Sequence, residues 1–271
     1  MVLVTVLITS FNPGRYLKKS VTSVFEQTFK NWKLIIVDDA STDHSLDSIK
    51  PYLANPRVKL IQNAKNLGQA KSLNVGLKHV TTPYVIQLDS DDWLVPNTIK
   101  CLVTEAKKQP KNVALISGNI KVVCYNKHGR LIKKYIRKGK SFNNRYKFML
   151  ANKSAWPRFY RTSALKKVKG WPTDGPYEGR YIEDLRILFR LIERFRFHWI
   201  NKTLYIHRKH SKNQTKQQIP MIITLKWLIR STLRRWGNKY SPVFRKTPRG
   251  YIRLFKLEPS STFKLPKRKS R

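Results

Sequence analysis

Acidic residues, cysteines and long apolar runs are all scarce in this chain of 271 residues. Only 15 Asp and Glu stand against 56 Lys and Arg, which gives a formal net charge of +41. The electrostatic field of so large a positive charge attracts polyanions, whether nucleic acid, anionic lipid headgroups or nucleotide phosphates. The two cysteines, Cys101 and Cys124, exclude a disulfide framework and a CxxC metal pattern, and they suit a reducing compartment.

The apolar runs are too short for a membrane span, which needs roughly 18 residues. The opening run, residues 2–9, has no basic flank and is broken by Asn12, Pro13 and Gly14. It therefore predicts a buried strand rather than a signal peptide. We expect a cytoplasmic protein that is soluble or peripheral at the inner face of the membrane.

The basic charge is unevenly distributed along the chain. Residues 1–120 carry 15 basic and 9 acidic residues, whereas residues 121–271 carry 41 basic and 6 acidic ones. Residues 216–271 hold 16 basic residues and a single acid, Glu258. This predicts three segments: 1–120, 121–215 and a basic amphipathic tail over 216–271. A helix over residues 221–236 of the tail could dock on an anionic bilayer or pack on the rest of the protein.

Secondary-structure patterns in the first segment predict an α/β fold. Short β-branched apolar runs alternate with stretches of helical spacing, which is typical of βαβ units and a parallel sheet. Strands are predicted over residues 2–9, 33–37, 58–61, 84–88 and 113–117, with helices between them, one of which covers 43–53. In such sheets the ligands bind at the carboxyl ends of the strands. Beyond residue 121 the pattern loosens. Short strands are predicted there over 122–125, 197–200 and 203–207, and the strongest predicted helix covers residues 182–195.

Seven of the fifteen acids lie in three tight groups, at Asp38-Asp39, at Asp89-Ser90-Asp91-Asp92 and at Glu183-Asp184. Adjacent carboxylates repel one another, so clustering is unfavourable unless a cation or a donor group is present. The group after residue 88 follows a predicted strand and suits Mg²⁺ or Mn²⁺, which could neutralise a departing diphosphate. A solvated turn with a helix cap is the alternative for this group.

Two candidate sites lie in the second segment. Glu183-Asp184 lies at the start of a predicted amphipathic helix. The pair is either stabilised there by the helix dipole, with no further role, or provides a general base. The run from His207 to His210 follows a predicted strand. It is either a basic loop or a phosphate clamp with an imidazole metal ligand.

Taken in order, these segments resemble family 2 of the inverting glycosyltransferases, of the bacterial type and with the GT-A fold. The resemblance covers residues 2–215 and is most specific over 2–100. The segments that carry it are Val6-Leu7-Ile8-Thr9-Ser10-Phe11-Asn12, Ile35-Ile36-Val37-Asp38-Asp39-Ala40-Ser41-Thr42-Asp43, Asn66-Leu67-Gly68, Leu88-Asp89-Ser90-Asp91-Asp92 and Glu183-Asp184. Lys169-Gly170-Trp171 stands where the family often has two glycines before an aromatic residue.

The resemblance implies a Rossmann-like nucleotide-sugar-binding half over 1–120, with a mixed sheet, and an acceptor-binding and catalytic-base half over 121–215. The residues implied to hold the nucleotide are Thr9, Phe11, Asp39, Asn66, Asp89 and Arg208. Those implied to hold Mn²⁺ or Mg²⁺ are Asp91, Asp89 and His210. Asp184 is the implied catalytic base.

The implied activity is transfer of a sugar from a nucleotide-diphosphate sugar, by resemblance a UDP-sugar, to a hydroxyl with inversion. The acceptor would be a glycan or a lipid-linked molecule of cell-envelope polysaccharide synthesis, with an anionic membrane surface as a further partner. Three alternatives remain: a nucleotidyltransferase, a non-catalytic member of the family, and a nucleic-acid-binding protein suggested by the charge of +41.

Overall fold

The computed structural model describes residues 2–142, 144–210, 217–248 and 250–260. Its strands are β1 (Val4–Ser10), β2 (Trp32–Asp38), β3 (Val58–Gln62), β4 (Tyr84–Asp89), β5 (Trp93–Leu94), β6 (Val113–Tyr125), β7 (Leu131–Arg137), β8 (Arg158–Arg161), β9 (Arg196–Lys209), β10 (Tyr240–Lys246) and β11 (Ile252–Pro259). Its α-helices are α1 (Tyr16–Phe25), α2 (Lys50–Leu53), α3 (Gln69–Lys78), α4 (Thr98–Lys108), α5 (Arg145–Ala151), α6 (Thr162–Lys167), α7 (Glu183–Leu191) and α8 (Gln218–Arg235). Short 3-10 helices cover His44–Ile49 and Pro176–Gly179.

One mixed sheet organises the described part of the chain, with strand order β3-β2-β1-β4-β8-β6-β9-β5 and with β7 paired to β6. The first four strands of this order are mutually parallel, as the alternation of apolar runs and helices predicted. β8 then runs antiparallel to both β4 and β6. This reversal brings residues of the second half of the chain beside the carboxyl end of β4.

Apolar side chains cover both faces of the sheet. Successive side chains of a strand point to opposite faces, so Val6 and Ile8 pack in one cluster with α1 and α4, while Leu7 packs in the other. The second cluster includes apolar residues of α3, α6, α7 and α8. Burial on both faces explains the continuous apolar runs of these strands.

The helix of the basic tail is part of this second cluster. Leu225, Leu228, Ile229 and Leu233 of α8 are buried there, and the Trp236 ring lies 6.0 Å from that of Phe189 on α7. The predicted helix over 221–236 is therefore confirmed, and its apolar face packs on the protein. The division of the chain at residue 216 stays a prediction. Residues 216, 249 and 261–271 of the predicted tail, including its terminal basic run, lie outside the described residues.

Several predicted element boundaries were wrong. The apolar stretches 113–117 and 122–125 belong to one long strand, β6, because polar Asn119 lies in its middle without interrupting it. Likewise, the two strands predicted over 197–207 form one strand, β9, which pairs with β6 along its length. The helix predicted over 43–53 is a 3-10 helix followed by α2, and α7 ends at Leu191. The hairpin of β10 and β11 was not predicted at all.

Across the described ranges, none of the helices combines the length and the apolarity that crossing a bilayer would require.

Candidate active site

The candidate site lies at the carboxyl ends of β1, β2 and β4. In the register of these parallel strands, Ser10 is level with Asp38 and Thr9 is level with Asp89. The predicted nucleotide and metal residues therefore meet at one edge of the sheet, as expected for an α/β ligand site.

Asp39 organises the loop that follows β3. Its carboxylate accepts hydrogen bonds from the Asn63 side-chain amide and from the backbone N–H groups of Leu67 and Gly68, each at 2.8 Å. Asp38 instead closes a turn by accepting from the Ser41 hydroxyl at 2.6 Å. Asp39 is thus buried and engaged with its own chain, so any contact that it makes with a nucleotide uses its remaining acceptor capacity.

Asn66 is held by Arg180, whose guanidinium donates to both the side-chain and the main-chain oxygen of Asn66. The same arginine packs against Gly68, where a Cβ atom would lie 2.7 Å from the Arg180 Cγ atom. Gly68 also has φ of +87°, which a side chain would strain. Sequence reasoning found Asn66 and Gly68 but missed Arg180.

Thr9 and Phe11 flank the end of β1. The Thr9 hydroxyl is buried and has no hydrogen-bond partner among the described residues. Phe11 is 51% exposed, which is unusual for so large an apolar side chain. An unpartnered hydroxyl beside an exposed ring fits a planar, polar ligand such as a base.

The three carboxylates at the end of β4, those of Asp89, Asp91 and Asp92, each contact a different partner. Asp89 accepts from the Arg158 guanidinium at 2.5 Å. Asp91 lies 3.0 Å from Nε2 of His210, and Asp92 accepts from the backbone N–H of Arg208 at 2.7 Å. Burial, and then the carboxylates of Asp91 and Asp89, raise the pKa of Asp92 well above its ordinary value. A cation bound here would relieve this repulsion.

Asp91 and His210 fit a divalent cation, because a carboxylate and an imidazole on facing segments already converge. Asp89 does not join them, since its carboxylate is bonded to Arg158. Within residues 2–260, apart from the gaps given above, no group of three or more His, Cys, Asp or Glu is arranged to hold a metal. Two of the three predicted ligands therefore come together, and the role of Asp89 as the third stays a prediction.

Arg208 lies over aromatic rings rather than in a solvated loop. Its guanidinium carbon is 4.4 Å from the ring centroid of Tyr16 and 4.8 Å from that of Trp93. Cation–π contacts of this kind hold a charged group in place. Arg208 on β9 and His210 directly after it thus lie at the acidic group, and their role as a phosphate clamp stays a prediction.

Asp184 lies in the first turn of α7 and faces the acidic group through Arg158. The Arg158 guanidinium contacts Asp89 through Nη2 at 2.5 Å and Asp184 through Nη1 at 3.8 Å. Arg158 is only 2% exposed, and removing one partner of a buried ion pair is strongly destabilising. Sequence reasoning missed this arginine, which joins the two predicted halves of the site. The sequence offered one sign of its importance, which is that Arg158 is a charged residue directly before the apolar pair Phe159-Tyr160.

Glu183, the neighbour of Asp184, is a buried acid with a raised pKa. Burial, and then the Asp184 carboxylate, raise the pKa of Glu183 to about 8, and its carboxyl group accepts a 3.4 Å hydrogen bond from the Gln87 side chain. At neutral pH Glu183 is therefore mostly protonated.

We expect Glu183→Gln to stabilise the protein more at pH 8.5 than at pH 5.5. Folded Glu183 keeps its proton up to a pKa of about 8, whereas an unfolded glutamate loses it near 4.5. Stability is therefore lost as the pH rises through this window, and glutamine removes that loss. Melting temperatures at the two pH values measure the effect. Glu26→Gln, at an exposed position directly after α1, is the control and should shift Tm by the same amount at both pH values. A shift of Tm for Glu183→Gln that is the same at both pH values would contradict the prediction.

Comparisons with known proteins identify the family of this chain. The profile of glycosyl transferase family 2 matches residues 5–169, which is more than half of the chain. The chain belongs to glycosyl transferase family 2. The predictions of the family and of a glycosyltransferase are thereby confirmed.

This glycosyltransferase chain is similar to WfgD of Escherichia coli, named a UDP-Glc:alpha-D-GlcNAc-diphosphoundecaprenol beta-1,3-glucosyltransferase. The two are 29% identical over 124 residues, which cover 46% of this chain and 48% of WfgD. The chain spans less than half the length of the curated relatives that it matches first.

Two solved structures have the same fold. S. aureus TarS 1-349 in complex with UDP-GlcNAc superposes with a TM-score of 0.69 at 21% identity, covering 87% of this chain and 67% of TarS. The mannosyltransferase PcManGT from Pyrobaculum calidifontis, in complex with GDP-Man and Mn²⁺, superposes with a TM-score of 0.62 at 16% identity, covering 85% of this chain and 64% of that one. The predicted GT-A architecture is confirmed.

Proposed function

We propose that this chain transfers a sugar from a nucleotide-diphosphate sugar to an acceptor hydroxyl with inversion. The observation that carries the proposal is the pair of ion-pair contacts from buried Arg158, one to Asp89 and one to Asp184. These contacts join the edge of the sheet that would hold the cation and the nucleotide to Asp184, a carboxylate on the separate helix α7. A donor sugar held between them would have its leaving group on one side and a base on the other.

The donor is a UDP-sugar. TarS was solved with UDP-GlcNAc and WfgD is named for UDP-Glc, and both resemble this chain in fold or sequence. On this chain, exposed Phe11 would contact the base, and the unpartnered Thr9 hydroxyl would bond to the nucleotide. Asp39 and Asn66 would act mainly by holding the loop around residue 66.

Mn²⁺ or Mg²⁺ would be held by Asp91 and His210, with donor oxygens and water as further ligands. When bound, the cation would neutralise charge on the departing diphosphate. Mn²⁺ accompanies GDP-Man in the PcManGT structure, which has the same fold. Arg208, held by Tyr16 and Trp93, adds a fixed positive charge on the same side.

Asp184 removes the proton from the acceptor hydroxyl. The hydroxyl oxygen then attacks the anomeric carbon from the face opposite the diphosphate, and the bond to the diphosphate breaks. A single displacement of this kind inverts the configuration. The backbone N–H of Leu185 and the Arg158 guanidinium orient the Asp184 carboxylate for this role.

A panel of nucleotide sugars with Mn²⁺, scored for release of the nucleoside diphosphate, tests the proposed activity. We expect slow hydrolysis of one donor by the wild-type chain even without an acceptor. Release of pyrophosphate instead would indicate a nucleotidyltransferase. No cleavage of any donor, together with tight binding of DNA at physiological salt, would indicate a nucleic-acid-binding protein.

The acceptor is a glycan or a lipid-linked molecule, and the chain associates peripherally with an anionic membrane surface. The exposed side of α8 carries Ile219, Ile223, Arg230 and Arg234. Apolar and basic side chains on one exposed helix face suit the headgroup region of a bilayer. Deleting residues 216–271 cannot test this association, because Leu225 and Ile229 of α8 belong to the core.

Reversing the charge of Arg230 and Arg234 together should weaken binding to vesicles containing phosphatidylserine by about 30-fold or more. Each basic residue near an anionic surface contributes ~1 kcal/mol. The control reverses Lys107 and Lys108, an equally exposed pair on α4. Vesicle flotation measures both variants, and an equal loss in both would assign binding to net charge rather than to α8.

A further inference from the structure

Three hydrogen-bonding groups that meet at the Trp156 ring are buried without partners among the described residues. They are Nη2 of Arg137 on β7, Nε1 of Trp156 and Nδ1 of His207 on β9, and none has a hydrogen-bond partner among the described residues. Leaving such groups unsatisfied costs free energy, most of all for a charged donor. Three of them in one place indicate a ligand whose acceptor atoms would satisfy them.

Trp156 brings the three groups together. The guanidinium carbon of Arg137 lies 4.7 Å from the Trp156 ring centroid, and the His207 ring stacks on Trp156 at 5.8 Å with 23° between planes. Trp156 is itself anchored, since its carbonyl accepts from the Gly118 backbone N–H at 2.8 Å. The Arg137 side chain therefore lies against the Trp156 ring, and its Nη2 has no hydrogen-bond partner among the described residues.

The chemistry of the cluster favours an anion. Arg137 supplies a positive charge with planar donors that match carboxylate or phosphate oxygens. Burial, and then the charge of Arg137, lower the pKa of His207 to about 4, so its imidazole is neutral. A neutral imidazole can still donate one hydrogen bond to an anion, from whichever ring nitrogen carries the proton.

The position of Arg137 assigns this anion to the acceptor side. Burial lowers the pKa of Arg137, and of the two carboxylates that oppose this lowering Asp184 acts more strongly than Asp92. Arg208 and His210 already flank Asp91 on the donor side. Arg137 instead shares the Trp156 ring with Arg158, which joins Asp89 to Asp184.

We propose that Arg137, Trp156 and His207 form a subsite for an anionic group, a carboxylate or a phosphate, carried by the acceptor close to its reacting hydroxyl. The proposal rests on the proposed function, because it takes Asp184 as the base for that hydroxyl. It narrows the acceptor from any hydroxyl compound to an acidic glycan or a sugar phosphate.

Three probes with one aglycone test the proposal: octyl glucoside, octyl glucuronide and octyl glucoside 6-phosphate. Their dissociation constants are measured by titration calorimetry on the full chain with saturating UDP. We expect at least one anionic probe to bind about tenfold or more tighter than octyl glucoside, since a hydrogen bond to a charged group contributes at least this factor. The preferred anionic probe identifies carboxylate or phosphate.

Arg137→Gln should abolish this preference, and Arg137→Lys should keep part of it by retaining the charge without the planar donors. Lys134→Gln is the matched control, because Lys134 lies three residues earlier on β7 and is exposed. The melting temperature of each variant verifies folding.

Equal binding of all three probes to the wild-type chain would overturn the proposal. So would an anion preference that survives in Arg137→Gln, or one that Lys134→Gln loses equally. If Arg137→Gln weakened UDP binding instead, the subsite would belong to the donor. Probe binding requires no turnover, so failure here is distinct from failure of the donor-cleavage assay.

Discussion

Replacing Asp184 by asparagine is expected to lower kcat for sugar transfer by about 100- to 10,000-fold, the usual contribution of a general base. Asparagine has the same shape but cannot accept the proton of the attacking hydroxyl. The contact with Arg158 becomes weaker, yet the fold should persist, because Asp89 remains paired with that arginine. The affinity for UDP should change little, since Asp184 lies on the acceptor side.

Glu183→Gln is the matched control for this substitution. Glu183 adjoins Asp184 but is mostly protonated at neutral pH, with its pKa raised to about 8 by burial and by Asp184. Glutamine mimics that protonated form, so this variant should keep far more activity than Asp184→Asn. Initial rates at saturating donor measure both. If Glu183→Gln were the inactive variant, the base would be Glu183 and the assignment to Asp184 would be wrong.

Replacing Asp91 by alanine is expected to lower donor cleavage by about 1,000-fold and to remove its stimulation by Mn²⁺. Stabilising the diphosphate charge by a bound cation contributes several kcal/mol, and each 1.36 kcal/mol is a factor of ten in rate. Asp91 is one of the two converging ligands, and His210 alone offers a single nitrogen. Rates measured across a Mn²⁺ titration test this prediction.

Asp47→Ala serves as the control for Asp91→Ala. Asp47 is an exposed acid that pairs with Lys50 at 2.7 Å. It should leave the Mn²⁺ dependence unchanged. Full activity of Asp91→Ala, with its usual response to Mn²⁺, would contradict the metal assignment. Cleavage by the wild-type chain after removal of all divalent cations would do the same.

The parallel part of the sheet could be predicted from the sequence because its signal is local. Strands buried on both faces appear as continuous apolar runs, and two of them, β2 and β4, end in Asp38 and Asp89 at the edge where the site forms. β6 and β9 were predicted in pieces because polar residues such as Asn119 and Asn201 interrupt the apolar pattern. Within the sheet these two side chains bond to each other at 2.9 Å, a pairing that no local pattern reveals.

The hairpin of β10 and β11 was missed for a related reason. Its residues are mostly partly buried or exposed and are rich in lysine and arginine, so the tail was judged by its charge alone. The apolar face of α8 was predicted correctly, but an amphipathic helix alone does not reveal whether a bilayer or a protein core covers that face. Tertiary packing settled the question in favour of the core.

The acids of the candidate site could be named from the sequence, whereas their basic partners could not. Fifteen acids in so basic a chain are conspicuous when they cluster, but Arg158 is one of 56 basic residues. Its importance arises only from the antiparallel pairing of β8 with β4, which sets Arg158 opposite Gln87 and close to Asp89. Arg137 and Arg180 likewise depend on contacts distant in sequence.

Inversion at the anomeric carbon is tested most directly by the configuration of the sugar first released when the chain hydrolyses an α-linked UDP-sugar with Mn²⁺. Proton NMR distinguishes the two anomers before they equilibrate, and water replaces the unknown acceptor. We expect UDP and the β-anomer to appear together, at a rate that falls strongly in Asp184→Asn. Initial release of the α-anomer, or an unchanged rate in Asp184→Asn, would contradict an inverting displacement assisted by this carboxylate.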